Sequence, residues 1–151
     1  MRRSKKPLDP IPDDNDWHDP SWIFGDETSG AYGTFFGKSI EQVVPLFAQD
    51  IFGCQDDVDS MPAPCLRYYI RAYIAYLMSD ASQNDPDGAR CFLGLVKRRM
   101  PDLKNAEPKV VDVVVAALRH IAERQEWYDA AEWIYGDFKS QAGELIDKLE
   151  A

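Results

Sequence analysis

Residues 62–78, with the sequence PAPCLRYYIRAYIAYLM, carry the strongest structural signal in this chain. Apolar side chains recur there every three or four residues, the spacing of one helix face: Leu66, Tyr69, Ile70, Tyr73, Ile74, Leu77 and Met78. Four more side chains widen that face: Cys65, Tyr68, Ala72 and Tyr76. A helix with so broad an apolar face must be covered from several sides. We therefore expect it at the centre of an all-α fold.

The segments before this helix give weaker signals. Ser39 and Gln42 have the spacing of a capping box, which predicts a helix running to about Phe52 and stopping at Gly53. Residues 25–38 contain four glycines among aromatic residues, which favours a loop with one short strand. The N-terminal third of the chain is therefore expected to be rich in loops.

Three further helices are predicted after residue 80. One opens at Pro86 and is ended by Pro101, and the next opens at Pro108, since proline is favoured in the first turn of a helix. The last begins near Trp127, and Gly136 is a place where it would split in two. About five helices result, arranged as a bundle or as stacked helical hairpins.

Length and composition indicate one domain. The chain has 151 residues, of which 45% are hydrophobic, and this is enough for a core without metal or disulfide. Residues 1–20 are rich in proline and aspartate and are expected to form a flexible arm before a single helical domain over residues 21–151.

Two short segments resemble known proteins. Residues 122–131, AERQEWYDAA, resemble the turn between paired helices in tetratricopeptide-type repeats, and no second copy follows at a 34-residue step. That resemblance implies a helical hairpin. The segment from Met61 to Tyr73 is similar to small bacterial proteins, and it implies no function.

The charge is acidic and uneven. The net charge is −9, and residues 7–62 hold twelve Asp or Glu against Lys38 alone. This field disfavours nucleic acid and favours a basic protein partner, although acidic charge also serves solubility alone. No apolar run is long enough to cross a membrane, and no apolar core follows the basic N-terminus as in a signal peptide. An odd cysteine count without CxxC spacing indicates reduced thiols, so we expect a cytoplasmic protein.

The sequence contains no frame for catalysis or metal binding. His18 and His120 are the only histidines and belong to no metal-binding pattern. No glycine-rich phosphate loop and no motif around a nucleophile are present. We predict no catalytic residue, no metal and no cofactor. The alternative is a small enzyme whose site is assembled from scattered carboxylates and tyrosines, with Cys65 or His120.

The remaining signal is a surplus of aromatic residues near the C-terminus. If one helix runs from Trp127, then Trp127 and Ile134 face the core, whereas Tyr128 and Trp133 do not. Exposed aromatics among carboxylates are typical of binding hot spots, although packing against the N-terminal third is the other interpretation. The predicted binding residues are Asp56, Asp57, Asp59, Tyr128, Asp129, Glu132 and Trp133. They predict a non-catalytic protein-binding module, like an immunity, antitoxin or adaptor protein; a structural protein that forms homo-oligomers is a further alternative.

Overall fold

The computed structural model describes residues 10–18 and 25–151, and these residues contain ten α-helices and no strand. The helices are α1 (Asp14–Trp17), α2 (Gly25–Phe35), α3 (Ile40–Gln49), α4 (Ile51–Asp59), α5 (Ala63–Leu77), α6 (Pro86–Arg98), α7 (Met100–Lys104), α8 (Pro108–Glu123), α9 (Glu132–Tyr135) and α10 (Phe138–Glu150). The all-α prediction is confirmed. The expected number of about five helices is too low, because short helices connect the long ones.

Helix α5 is the centre of the fold, as its broad apolar face predicts. It packs against α3, α4 and α8, and ten of its fifteen residues are buried. Two of its tyrosine hydroxyls find backbone partners outside the helix, as buried polar groups generally do. Tyr69 Oη donates to the carbonyl oxygens of Phe35 (2.8 Å) and Lys38 (2.7 Å), and Tyr73 Oη donates to that of Gly88 at 2.6 Å.

The N-terminal third differs from its prediction, because helices α2 and α4 replace the expected loops and no strand forms in the described residues. The predicted stop at Gly53 is also wrong. Asp50 ends α3 and at once caps α4, since its carboxylate accepts from the backbone N–H of Gly53 at 3.0 Å. A glycine in the first turn of a capped helix is tolerated, so the chain continues to Asp59.

Residues 10–18 pack on the domain. Asp13 and Asp16 cap α1 reciprocally, and the Trp17 side chain is 2% exposed. Its ring contacts Tyr32 edge-on at 5.6 Å and Tyr69 at 6.0 Å between centroids. Residues 1–9 and 19–24 lie outside the described residues, so the division at residue 20 stays a prediction.

The second half of the chain follows its prediction at the starts of α6 and α8, but the last helix does not begin near Trp127, because residues 124–131 form no helix. Proline opens both α6 and α8, and Gly136 separates α9 from α10. Helices α8 and α10 pack against each other. Gln125, just after α8, donates to the carbonyl of Gly136 at 2.7 Å and accepts from the Phe138 N–H at 2.9 Å, which holds the start of α10 against the end of α8.

The three cysteines are free thiols, two of them buried and Cys91 partly exposed. Within the described ranges, no helix combines the length and the apolar character that crossing a membrane would require.

Candidate functional site

Among the large hydrophobic side chains that the structure describes, Trp133 on the short helix α9 is the most exposed. Its exposed fraction is 87%, and that of the adjacent Ile134 is 55%. Single exposed apolar residues are common on protein surfaces, but these two are adjacent on α9 and form a small apolar patch. The sequence left open whether Trp133 is exposed or packs against the N-terminal third, and in the structure it is exposed.

A shallow acidic pocket adjoins this helix. Its volume is about 440 Å³, and it is lined by Gln125, Glu126, Asp129, Ala130, Ala131 and Glu132. Three of these six residues are carboxylates, and no Lys or Arg is among them. We call Glu126, Asp129, Glu132, Trp133 and Ile134 together the α9 surface. Asp129 and Glu132 thus line the same pocket, and Trp133 follows Glu132 on α9.

The segment that carries the acidic pocket is rigidly folded. Asp129 has φ +59°, a conformation that few residues other than glycine adopt. Backbone bonds impose it: the Asp129 N–H donates to the Glu126 carbonyl at 2.9 Å, and the Ala130 N–H to that of Gln125 at 3.1 Å. The Gln125 side chain also donates to the Ala130 carbonyl at 2.9 Å. Strained backbone held in this way is frequent at functional sites.

The last residue of α9, Tyr135, is anchored by two side-chain hydrogen bonds. Tyr135 Oη donates to the Asp87 carboxylate at 3.2 Å, and the Gln141 side chain donates to the Tyr135 carbonyl at 3.0 Å. The segment before α9 is tied to the turn ahead of α6, because the Asn84 N–H donates to the Trp127 carbonyl at 3.1 Å. Trp133 is therefore presented from a fixed backbone.

Tyr128 does not belong to this surface, which corrects the sequence prediction. Its side chain is fully buried, its hydroxyl donates to the Leu77 carbonyl at 2.7 Å, and burial raises its pKa to about 12. Ile134, assigned to the core, is exposed instead. Both differences have the same cause. Residues 124–131 form turns and irregular chain instead of a helix, so a helical spacing counted from Trp127 does not tell which side chains are buried.

The other predicted carboxylates lie on α4, a helix and not the expected loop. Asp59 accepts from Arg98 Nε at 2.7 Å, and Asp56 accepts from the Gln55 side chain. Asp57 is half-buried, and burial together with the neighbouring charges of Asp56 and Asp50 raises its pKa. Asp59 and Asp56 thus have partners within the protein and Asp57 is partly buried, whereas the carboxylates of the α9 surface line an open pocket.

Burial shifts the pKa values of two cysteines and of His120. Burial raises the pKa of Cys54 to about 12 and also raises that of Cys91, which favours the unreactive thiol over the thiolate. Cys65 is fully buried. Burial and Arg124 lower the pKa of His120. Among the described residues, no three His, Cys, Asp or Glu side chains converge as a metal site would need.

A second depression lies between α6 and α10 and was missed by the sequence reasoning. Lys97 and Arg98 look in the sequence like cations that complement the dipole at the end of a helix. Only the packing of α10 places Lys148 across from them. The spacing of residues within one segment does not predict this site, because its lining residues lie on helices that are far apart in the chain.

Comparison of the chain with protein-family models, with curated proteins and with solved structures finds no match.

Proposed function

We propose that this protein is a non-catalytic binding module that uses the α9 surface to bind a basic protein partner, as small immunity, antitoxin or adaptor proteins do. The observation that carries the proposal is Trp133, 87% exposed on a helix whose last residue, Tyr135, is held by two hydrogen bonds. A second copy of this chain is the alternative partner for the α9 surface, and sedimentation of the free protein distinguishes it from a basic protein partner.

Trp133 has the properties of an interface anchor. Tryptophan is enriched among the few residues that supply most of the affinity of an interface, since its large ring excludes water over a wide area. Ile134 extends the apolar area beside it. Because hydrogen bonds already fix α9, little backbone entropy is lost when a partner binds, and rigid presentation of this kind favours affinity.

The charge around Trp133 favours a basic partner. Glu126, Asp129 and Glu132 line the adjoining pocket without any Lys or Arg. Long-range attraction between these carboxylates and a basic surface would raise the association rate at low salt. The net charge of −9 acts in the same direction. The α4 carboxylates are the weaker contact candidates, because Arg98 and Gln55 already engage Asp59 and Asp56.

The test compares three variants as immobilised baits in lysate of the native host. Trp133→Ala removes the anchor, and Glu126→Gln with Glu132→Gln removes two charges. Phe52→Ala is the matched control, because Phe52 is a large hydrophobic residue of α4 with 56% exposure. We expect one basic protein to be retained by the wild type and by Phe52→Ala, and lost from the other two.

Trp133→Ala should leave stability within about 0.5 kcal/mol of the wild type, as is usual for surface changes, so lost binding would not reflect unfolding. Equal retention by Trp133→Ala and Phe52→Ala would contradict the proposal. Sedimentation of the free protein measures its oligomeric state and so tests self-association. If the wild type is a dimer and Trp133→Ala is a monomer, the α9 surface binds a second copy of the chain instead.

A further inference from the structure

A groove of about 460 Å³ runs between α6 and α10 and is bounded at one side by α4. Helix α6 contributes Arg90, Cys91, Leu93, Gly94, Lys97 and Arg98, helix α10 contributes Gln141, Glu144, Leu145 and Lys148, and α4 contributes Gln55. Its volume lies within the range of small-molecule sites, roughly 300–1,000 Å³. It shares no residue with the α9 surface, so the inference below does not depend on the proposed function.

The groove is basic, although the protein is acidic. Arg90, Lys97, Arg98 and Lys148 line it against one carboxylate, Glu144, in a chain of net charge −9. Within the described part of the chain, no ion pair involves Arg90, Lys97 or Lys148. Glu144 and Asp59, the partner of Arg98, leave positive charge in excess here. The cations repel one another, and an anion bound among them would reduce that repulsion.

Arg98 is held in position for an anion. Its Nε donates to the Asp59 carboxylate at 2.7 Å, which fixes the guanidinium. A Cβ at position 94 would lie 3.0 Å from Nη1, so Gly94 leaves the space that the guanidinium occupies. Apart from the Nε contact, no hydrogen bond from Arg98 to a described residue is present. The two Nη atoms are therefore available as a fork for a phosphate or carboxylate group.

Gln55 supplies a second and independent observation. Its side chain is 8% exposed, its Nε2 donates to Asp56, and its Oε1 has no donor among the described residues. A buried acceptor without a donor is rare and costs stability. Oε1 is closed to solvent here, so a ligand would engage it by a turn of the side chain towards the groove. That turn would also supply the missing hydrogen bond.

We propose that this groove binds a compact organic phosphate of about nucleotide size. The phosphate fits the Arg98 fork and the three unpaired cations, and a hydroxyl or amino group of the organic part fits Gln55 Oε1. A long nucleic acid is disfavoured, because the acidic remainder of the protein repels an extended polyanion. A compact anion experiences mainly the local charge, since charges beyond a Debye length are screened.

The site binds and does not catalyse through its cysteine. Cys91 lines the groove, but burial and Asp87 raise its pKa, so it stays a protonated thiol. It is useful as a probe instead. Cys54 and Cys65 are buried, which leaves Cys91 as the accessible thiol.

The test titrates the full chain with ATP, adenosine and inorganic phosphate at constant ionic strength. Amide chemical shifts and the rate of Cys91 alkylation by iodoacetamide are the two readouts. We expect ATP to bind with a Kd below about 1 mM, to shift amides of α6 and α10, and to slow alkylation. Adenosine should do neither, and inorganic phosphate should bind more weakly than ATP because it lacks the organic part.

Lys97→Gln with Lys148→Gln should raise the Kd for ATP at least about tenfold, since each neutralises a charge that contacts the phosphates. The matched control is Lys104→Gln with Lys139→Gln, which changes the net charge equally at two exposed lysines outside the groove. Three results would each overturn the proposal: no response to ATP, an equal response to adenosine, or equal weakening by the two double variants.

Discussion

At the scale of single residues, Gly136 decides where the chain turns between α9 and α10. Its φ of +79° and ψ of −178° belong to a region that is accessible essentially to glycine alone. A Cβ there would also lie 2.6 Å from Gln141 Nε2, which donates to the Tyr135 carbonyl. The position of Trp133 therefore depends on this one glycine.

Gly136→Ala should lower the free energy of unfolding by about 1–3 kcal/mol, the cost of forcing a side chain into that region. Urea denaturation measures it. Gly143→Ala is the control, because Gly143 lies within α10 and a Cβ there meets nothing within 4 Å. That change should stabilise by roughly 0.5–1 kcal/mol, since alanine loses less entropy in a helix. The same sign for both variants would contradict the structure.

We expect His120 to make the stability of the fold depend on pH in the mildly acidic range. Its Nε2 is buried without a partner among the described residues, and burial with Arg124 lowers its pKa below the ordinary 6.5. The unfolded chain therefore takes up a proton first as pH falls, so the native state should lose stability as pH falls through 6.5 towards the native-state pKa.

We predict that His120→Gln loses less stability than the wild type between about pH 7.5 and pH 5.5, the interval around an ordinary histidine pKa. Urea denaturation at the two pH values measures the difference, and carboxylates common to both proteins cancel. Parallel pH dependence in the two proteins would show that His120 is equally protonated in the native and unfolded states.

At the scale of elements, α4 concentrates unfavourable charge. Asp50 caps its first turn, and Asp56 and Asp57 follow within the helix. Burial first, then Asp56 and Asp50, raises the pKa of Asp57, so its ionised form is less stable in the folded protein than in the unfolded chain. The helix tolerates this because α3, α5 and α6 pack around it.

Asp57→Asn should raise the free energy of unfolding at neutral pH by removing that charge. The gain should shrink as pH falls through the raised pKa and vanish below the ordinary 3.8, where both states are protonated. Thermal unfolding at several pH values measures it. Asp112→Asn, on the exposed side of α8, is the control and should change stability by less than about 0.5 kcal/mol. Lower stability of Asp57→Asn at neutral pH would contradict the expectation.

At the scale of the whole molecule, one hydrophobic cluster connects the chain from Trp17 on α1 to Leu149 on α10. Helix α5 belongs to it along its length, so the N-terminal and C-terminal helices share one core. A shared core makes partial unfolding unfavourable in free energy, because partial unfolding would expose part of the same cluster to water.

We therefore predict a single cooperative transition in urea. Helix content from circular dichroism and the tertiary environment from tryptophan fluorescence should unfold at the same midpoint, since Trp17 lies in the same core as α10. Trp133→Phe improves the measurement, because it removes an exposed fluorophore that reports little on packing. Two separated midpoints would show that the chain contains two independent units.

The helices with long apolar periodicity were predictable from sequence, because their spacing and their proline starts are local properties. Helices α5, α6 and α8 begin where the sequence indicated, and Gly136 interrupts the last segment as expected. That Asp129, Glu132 and Trp133 lie near one another follows from their spacing in the chain, whereas the exposure of Trp133 did not follow from a helical spacing counted from Trp127, because no helix begins there.

Only the tertiary structure decided features that depend on residues far apart in the chain. Tyr128 is buried because its hydroxyl reaches Leu77, and the basic groove exists because α10 places Lys148 opposite Lys97. Local sequence determines which segments become helices through hydrogen bonding and side-chain spacing within a few residues. Which faces are then covered depends on how helices from distant parts of the chain pack, and no single segment contains that information.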